Sequence, residues 1–179
     1  FMCAAKKQQI GHADHTKDAA ARGLSGNFLR PIKITMMGAG SAFTPRLMND
    51  ILRIPGEQGG EIALVDIDRE RLTTMTKLIT RLAKNLGKTN WKVVGTTQRR
   101  KVLSGSDYIV NCIEVSGTAC VKFDNDIPAK YGIDQCIGDT IGPGGLFKSM
   151  RTIPVFLEVL KDAEELCPNA IVLNYTNPM

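Results

Sequence analysis

From Lys33 onward, short apolar runs alternate with stretches whose apolar residues recur every three or four positions. Ile34-Thr35-Met36-Met37 predicts a short buried strand that runs straight into the turn Gly38-Ala39-Gly40-Ser41. Leu47, Met48, Ile51 and Leu52 then keep helical spacing until Pro55 and Gly56 end the run. Glu61 to Asp66 is apolar except at its ends, as expected of a strand covered on both faces of a parallel sheet. Asp68 is a fitting cap for the next helix, whose buried face is marked by Leu72, Met75, Leu78, Ile79, Leu82 and Leu86 and which stops at Gly87. Trp91–Val94 and Tyr108–Ile113 predict two further strands. Gly145–Leu166 predicts a helix kinked at Pro154, and Ile171–Leu173 a last strand. Strand and helix in short alternating units predict an α/β fold, a doubly wound parallel sheet with right-handed crossovers. Residues 1–31 have no sustained apolar period and read as an extension or flexible arm, which leaves 32–179 as the folded domain.

Composition narrows the class. A chain of 179 residues with 43% hydrophobic and 23% charged residues is of ordinary globular make-up and one-domain size. It holds no apolar run near the roughly 18–20 residues that a membrane-spanning helix needs. The formal charge of +5 would suggest a nucleic-acid partner, but five basic residues against Asp14 and Asp18 put +3 of it in the first 31 positions. The rest is interspersed, and the electrostatic case for DNA or RNA fails. Cys3, Cys112, Cys120, Cys136 and Cys167 show no CxxC pairing, and the only histidines, His12 and His15, stand at no ligand spacing, so a zinc site or redox pair is not expected. Reduced thiols and a cytoplasmic location are the expectation.

Candidate chemistry gathers where strands end. After the first strand, Gly38 and Gly40 permit a tight turn and close backbone approach, the following helix presents unpaired N–H groups to a pyrophosphate, and Ser41 adds a hydroxyl. Phe43 stands where the usual fingerprint has its third glycine, so the turn alone also reads as an ordinary glycine turn. Asp66, closing the second strand, strengthens the cofactor reading: its carboxylate can accept hydrogen bonds from ribose hydroxyls and repel a 2′-phosphate, which favours NAD over NADP. Glu114 leaves the fourth strand at the ligand-binding edge, as a site carboxylate or a solvated charge. Gly138-Asp139-Thr140-Ile141-Gly142-Pro143-Gly144-Gly145 precedes the long helix, as a backbone cradle or a structural loop. Asn177, before Pro178, is placed to hold a substrate hydroxyl or the nicotinamide, or to start a turn.

From about Lys33 to Met179 the chain resembles the N-terminal part of glycoside hydrolase family four, on GAGSAFTPRL, VDID, KYGIDQCIGDTIGPGG, RTIPVFLEVLKDAEELCPNA and LNYTNPM. The resemblance implies an NAD-dependent glycosidase. NAD oxidises the sugar C3 hydroxyl, a tyrosine removes the acidified C2 proton, the C1 oxygen is expelled, water adds, and hydride returns to C3. A divalent metal, usually manganese, polarises the C2 and C3 oxygens. Carried onto this chain, Gly38, Gly40, Ser41 and Asp66 would hold NAD, Asn177 would contact the sugar, and Asp139 would support the tyrosine base. That base and the metal-binding Cys and His of the family lie past the TNP motif. The chain is therefore expected to lack its C-terminal catalytic domain, to hold no metal ligand and to be inactive alone. Where the 6-phosphoglycosidase branch has a phosphate-holding arginine, this chain reads Ile113-Glu114-Val115. A carboxylate there repels a phosphate, and the expected substrate is a non-phosphorylated α-glycoside of the α-galactosidase, α-glucosidase or α-galacturonidase kind. The resemblance further implies a homodimer or homotetramer.

Two other readings remain at this stage. A 2-hydroxy acid dehydrogenase of the lactate or malate type shares the sheet and the first motifs, but it needs an arginine–histidine pair and has no place for GDT-x-GPGG. A non-catalytic NAD-binding module is the second.

Overall fold

The computed structural model describes residues 30–54, 56–135 and 141–177. In chain order these form β1 (Ile32–Met37), α1 (Thr44–Leu52), β2 (Gly60–Val65), α2 (Arg69–Asn85), β3 (Trp91–Thr96), α3 (Arg100–Leu103) and β4 (Tyr108–Asn111), then α4 (Val121–Ala129), α5 (Pro143–Leu166) and β5 (Ile171–Asn174). A 3-10 turn at Gly117–Cys120 leads into α4. The strands make one parallel sheet in the order β3-β2-β1-β4-β5. Such an order reverses direction between β1 and β4. At that switch point the loops leave β1 and β4 in opposite directions and open a crevice at the strands' carboxyl ends.

Two layers cover β1, β2 and β4 because alternate residues of a strand point to opposite faces, whereas edge strand β5 is exposed along its length. On one face Ile34, Met36, Ile62, Leu64 and Val110 pack with Met48 and Leu52 of α1 and with Leu72, Ile79 and Ala83 of α2. On the other, Met37, Val65 and Ile109 pack with Leu103 of α3 and Val159 and Ala163 of α5. Each wholly buried Ile, Leu or Met contributes about 1.5–3 kcal/mol relative to an exposed one, which is what holds the crossovers on the sheet. Thr35, buried in β1, satisfies its hydroxyl with that of Ser106 at 2.6 Å.

Most of the expected elements are present. Asp68 caps α2 by accepting from the backbone N–H groups of Glu70 and Arg71, both at 3.0 Å. The strand expected over Tyr108–Ile113 ends at Asn111, where its side chain takes over the bonding described below. Pro154 does not interrupt α5, which runs as one helix of 24 residues. The carbonyl that loses its donor to Pro154 is that of Met150, four residues earlier, and both residues are exposed, so water can serve it. The expected arm 1–31 lies outside the described residues up to position 29. The guanidinium of Arg30, the first described residue, bonds Asp107 at 2.6 and 3.2 Å. Burial opposes the charge on Asp107, but Arg30 and the Lys33 N–H outweigh it and hold the carboxyl below its usual range.

Candidate cofactor and substrate cleft

The turn after β1 is held by backbone. The N–H groups of Gly38 and Ala39 both donate to the carbonyl of Val65, at 2.9 and 3.0 Å, and the hydroxyl of Thr44 closes the turn on the carbonyl of Ala39 at 2.8 Å. Gly38 has φ +75°, and a Cβ on it would lie 2.5 Å from the carbonyl oxygen of Cys112. Only glycine satisfies both conditions. The backbone N–H of Gly40 donates to Asp66 Oδ2 at 2.6 Å, and a Cβ on Gly40 would stand 2.8 Å from that same oxygen. Asp66 Oδ1 accepts from the N–H of Asp68 at 2.8 Å. One half-buried carboxylate thus ties the glycine turn to the start of α2 and keeps lone pairs open to the cleft. The two glycines leave the backbone bare as a dinucleotide cradle requires, and Asp66 has lone pairs that could accept from a ribose; the residues fit the cofactor.

At the switch point a second part of the cleft, about 210 Å³, is lined by Ser41 and Phe43 from the first turn, Cys112 to Glu114 from the β4 exit, and Tyr175 to Asn177 from the β5 exit. Three residues read from the sequence as site candidates, Ser41, Glu114 and Asn177, therefore converge. Asp66 sits at the neighbouring end of β2, and Asp139 lies outside the described residues. Phe43, in place of a third glycine, directs its ring to Tyr175, centroid to centroid 5.4 Å, across the rim.

The supporting network was not visible in the motifs. Asn111, wholly buried at the end of β4, donates through Nδ2 to Asn174 Oδ1 at 2.9 Å and to Thr176 Oγ1 at 3.1 Å. The Thr176 hydroxyl in turn donates to the carbonyl of Ile113 at 2.9 Å. The exits of β4 and β5 are so locked to each other. An asparagine closing the apolar run Tyr108-Ile109-Val110 was the available signal, because a buried amide at a sheet's ligand edge has to find partners.

Lys148, on the second turn of α5, was also missed. Its side chain is only 12% exposed, and Nζ donates to the carbonyl of Asn177 at 3.1 Å and stands 3.4 Å from Glu114 Oε1. Glu114 is the exposed member of the pair at 45%. The cleft therefore presents a carboxylate backed by a buried ammonium. Burial pushes the thiol of Cys112 up, so it lines the floor as a neutral group. Among the described residues no three His, Cys, Asp or Glu side chains converge to hold a metal ion, and no helix is long and apolar enough to cross a membrane.

Comparison with known proteins agrees with this geometry. The model of the family described as family 4 glycosyl hydrolase matches residues 33–179. An α-galactosidase of Rhizobium meliloti is 42% identical over 149 residues, covering 82% of this chain and 30% of that protein. A 6-phospho-β-glucosidase of Escherichia coli is 36% identical over 151 residues, with 82% and 33% covered. The solved 6-phospho-β-glucosidase of Thermotoga maritima, with NAD and glucose-6-phosphate, superposes with TM-score 0.74 at 27% identity, over 83% of this chain and 34% of that one. The chain spans about a third of the length of these relatives.

Proposed function

This chain belongs to family 4 of the glycosyl hydrolases, and on that premise we propose that it forms the NAD-binding part of an enzyme that cleaves non-phosphorylated α-glycosides. The family match favours this reading over a lactate- or malate-type dehydrogenase. The single observation that carries it is the joint at Gly40 and Asp66, where turn, acid and helix start are fixed by one carboxylate. Bound there, the nicotinamide cofactor supplies reversible hydride transfer at the sugar C3.

The chain's own residues do the rest by placement. Gly38 and Gly40 leave the backbone bare where the pyrophosphate would lie, and Ser41 offers a hydroxyl beside it. Asp66 accepts from the ribose hydroxyls while remaining bonded to two N–H groups, and its charge disfavours a 2′-phosphate. Asn177, positioned through its own carbonyl by Lys148, faces the sugar side. Glu114 accepts hydrogen bonds from sugar hydroxyls and repels a phosphoryl group, and the ammonium of Lys148 keeps the cost of its charge low. Asp139 carries the supporting role toward a general base, and manganese remains the expected metal of the whole enzyme.

Because the relatives include both phosphorylated- and plain-glycoside enzymes, the substrate branch rests on Glu114. The test is NAD titration of this chain by calorimetry, together with hydrolysis by the complete enzyme, given NAD and manganese, of an aryl α-galactoside, an aryl α-glucoside and their 6-phosphates. Stoichiometric NAD binding and preference for the plain glycosides are expected. Faster turnover of a 6-phosphate would overturn the substrate assignment, and absence of NAD binding would overturn the cofactor site.

A further inference from the structure

At the far edge of the sheet, away from the β1–β4 crevice, a groove of about 520 Å³ lies between α2 and the segment leaving β3. Its charged lining is wholly basic, Arg69 and Lys77 from α2 and Lys101 from α3, and threonine hydroxyls and Gln98 make up the rest of its polar wall. No Asp or Glu lines it. Several cations near the sheet are matched: Lys88 meets Glu57, Lys92 meets Glu61, and Arg99 and Arg100 turn to Asp162 on α5. Arg69, Lys77 and Lys101 make no ion pair among the described residues. Glu70 follows Arg69 directly, but adjacent helix positions do not face each other, and Asp68 is spent on the α2 cap and on Arg71 at 3.3 Å.

Gly95 lies inside edge strand β3, where a glycine weakens a strand and marks close approach by something else. A Cβ there would stand 2.3 Å from Thr76 Oγ1, so the element that the bare glycine admits is α2, packed beside the groove. Like charges gathered around a cavity focus field into it and raise the local concentration of counter-ions.

We propose that this groove binds a chain of two or three phosphates, at a site separate from the dinucleotide cleft. Three exposed cations face such a chain, and the hydroxyls and amide match its non-bridging oxygens. Asp66 is not part of the lining, and β2 lies between β3 and the glycine turn of β1.

The test is calorimetric titration of the 179-residue chain with tripolyphosphate, and in parallel with ATP, at fixed ionic strength and under saturating NAD. One saturable site is expected, weakened roughly tenfold in the K77Q/K101Q variant, the loss of two exposed charge contacts. The control variant K122Q/K130Q, which removes two cations elsewhere, should bind as the parent does. Equal affinity for the two ligands assigns recognition to the phosphate chain alone, and tighter ATP binding assigns it to a nucleotide; either supports the site. Absence of saturable binding, equal weakening in both variants, or loss of binding when NAD is present overturns it.

Discussion

Replacing Asp66 by Asn tests the joint on which the cofactor reading rests. The carboxylate accepts two backbone N–H groups, Gly40 at 2.6 Å and Asp68 at 2.8 Å, and still has lone pairs for a ribose. An amide of the same shape keeps one acceptor oxygen and turns an NH2 group toward the other donor. Hydrogen bonds to a charged partner contribute about 1.5–3 kcal/mol each, so weakening the ribose contact raises the NAD dissociation constant roughly ten- to a hundredfold. Loss of the negative charge also removes repulsion toward a 2′-phosphate, so the preference for NAD over NADP narrows. The same substitution leaves one N–H facing a donor, at about 1–2 kcal/mol of stability, which lowers the melting temperature by several degrees in a chain of this size. Calorimetric titration of both cofactors, with thermal unfolding of each protein as a control for folding, reads both effects. If D66N binds NAD as tightly as the parent while unfolding at the same temperature, the carboxylate neither fixes the turn nor meets the ribose.

Other consequences are as direct. Gly38→Ala forces a side chain into a φ of +75° and against the carbonyl of Cys112, at about 1–2 kcal/mol for the conformation alone, and should abolish measurable NAD binding before it abolishes the fold; titration and circular dichroism separate the two. Glu57, with its side chain 5% exposed, is met by Lys88, the Trp91 indole and the Gly59 N–H, each at 2.7 Å. Burial opposes its charge, but the three donors win and hold its pKa below the ordinary value. Its contribution is therefore present above the unfolded-state pKa and is lost as pH falls through the folded one; unfolding by urea from pH 6 down to pH 3 should show falling stability, with E57Q less sensitive over that range and about 1–3 kcal/mol weaker at pH 7. Lys148→Met strips Glu114 of its ammonium and Asn177 of its positioning bond, so KM for the plain glycoside in the complete enzyme should rise more than tenfold while NAD affinity stays put. Cys112, neutral and half-buried on the cleft floor, should be alkylated by iodoacetamide at pH 8 more slowly than a small free thiol, and more slowly again with NAD bound; peptide mass spectrometry reads the rate.

Burial follows hydrophobicity in β1, β2 and β4, which the pattern predicted, but not in β5, also predicted, whose Ile171, Val172 and Leu173 are exposed. In α2, Leu72 and Ile79 are both apolar and inside, whereas Leu78, expected on the same face, is exposed; the cap at Asp68 is local chemistry that a sequence displays openly. The opposite holds for α4. Its buried residues are Asp124 and Pro128, whereas Val121, Phe123 and Ile127 are exposed, so the apolar period points away from the face that packs. What turns that face inward is Arg151 of α5, which meets both oxygens of Asp124 at 2.9 and 2.6 Å. A partner 27 positions away is invisible to a local reading. The same reasoning separates the two halves of the cleft. The glycine turn and Asp66 are set by backbone geometry and a strand end, and both were legible. Lys148 comes into the site because α5 carries it past the β4 and β5 exits, and nothing within ten residues of it says so.

That division says how the cleft can vary. The cofactor half depends on contacts that allow no side chain, since Gly38 faces a carbonyl and Gly40 faces Asp66 at less than van der Waals distance for a Cβ. The substrate half rests instead on an amide network, Asn111 to Asn174 and Thr176, that fixes two loop exits without using the side chains of Glu114 or Asn177. Glu114 can change its charge without breaking any hydrogen bond that locks those exits, provided Lys148 changes with it, because an ammonium only 12% exposed is costly to leave unpaired. Under the proposed assignment, substrate charge is set by a pair of residues 34 positions apart and not by the glycine turn and Asp66. Glu114→Gln paired with Lys148→Met should therefore leave both the fold and NAD binding intact, keep the rise in KM that follows from losing the bond to Asn177, and reduce the preference for neutral over anionic sugars.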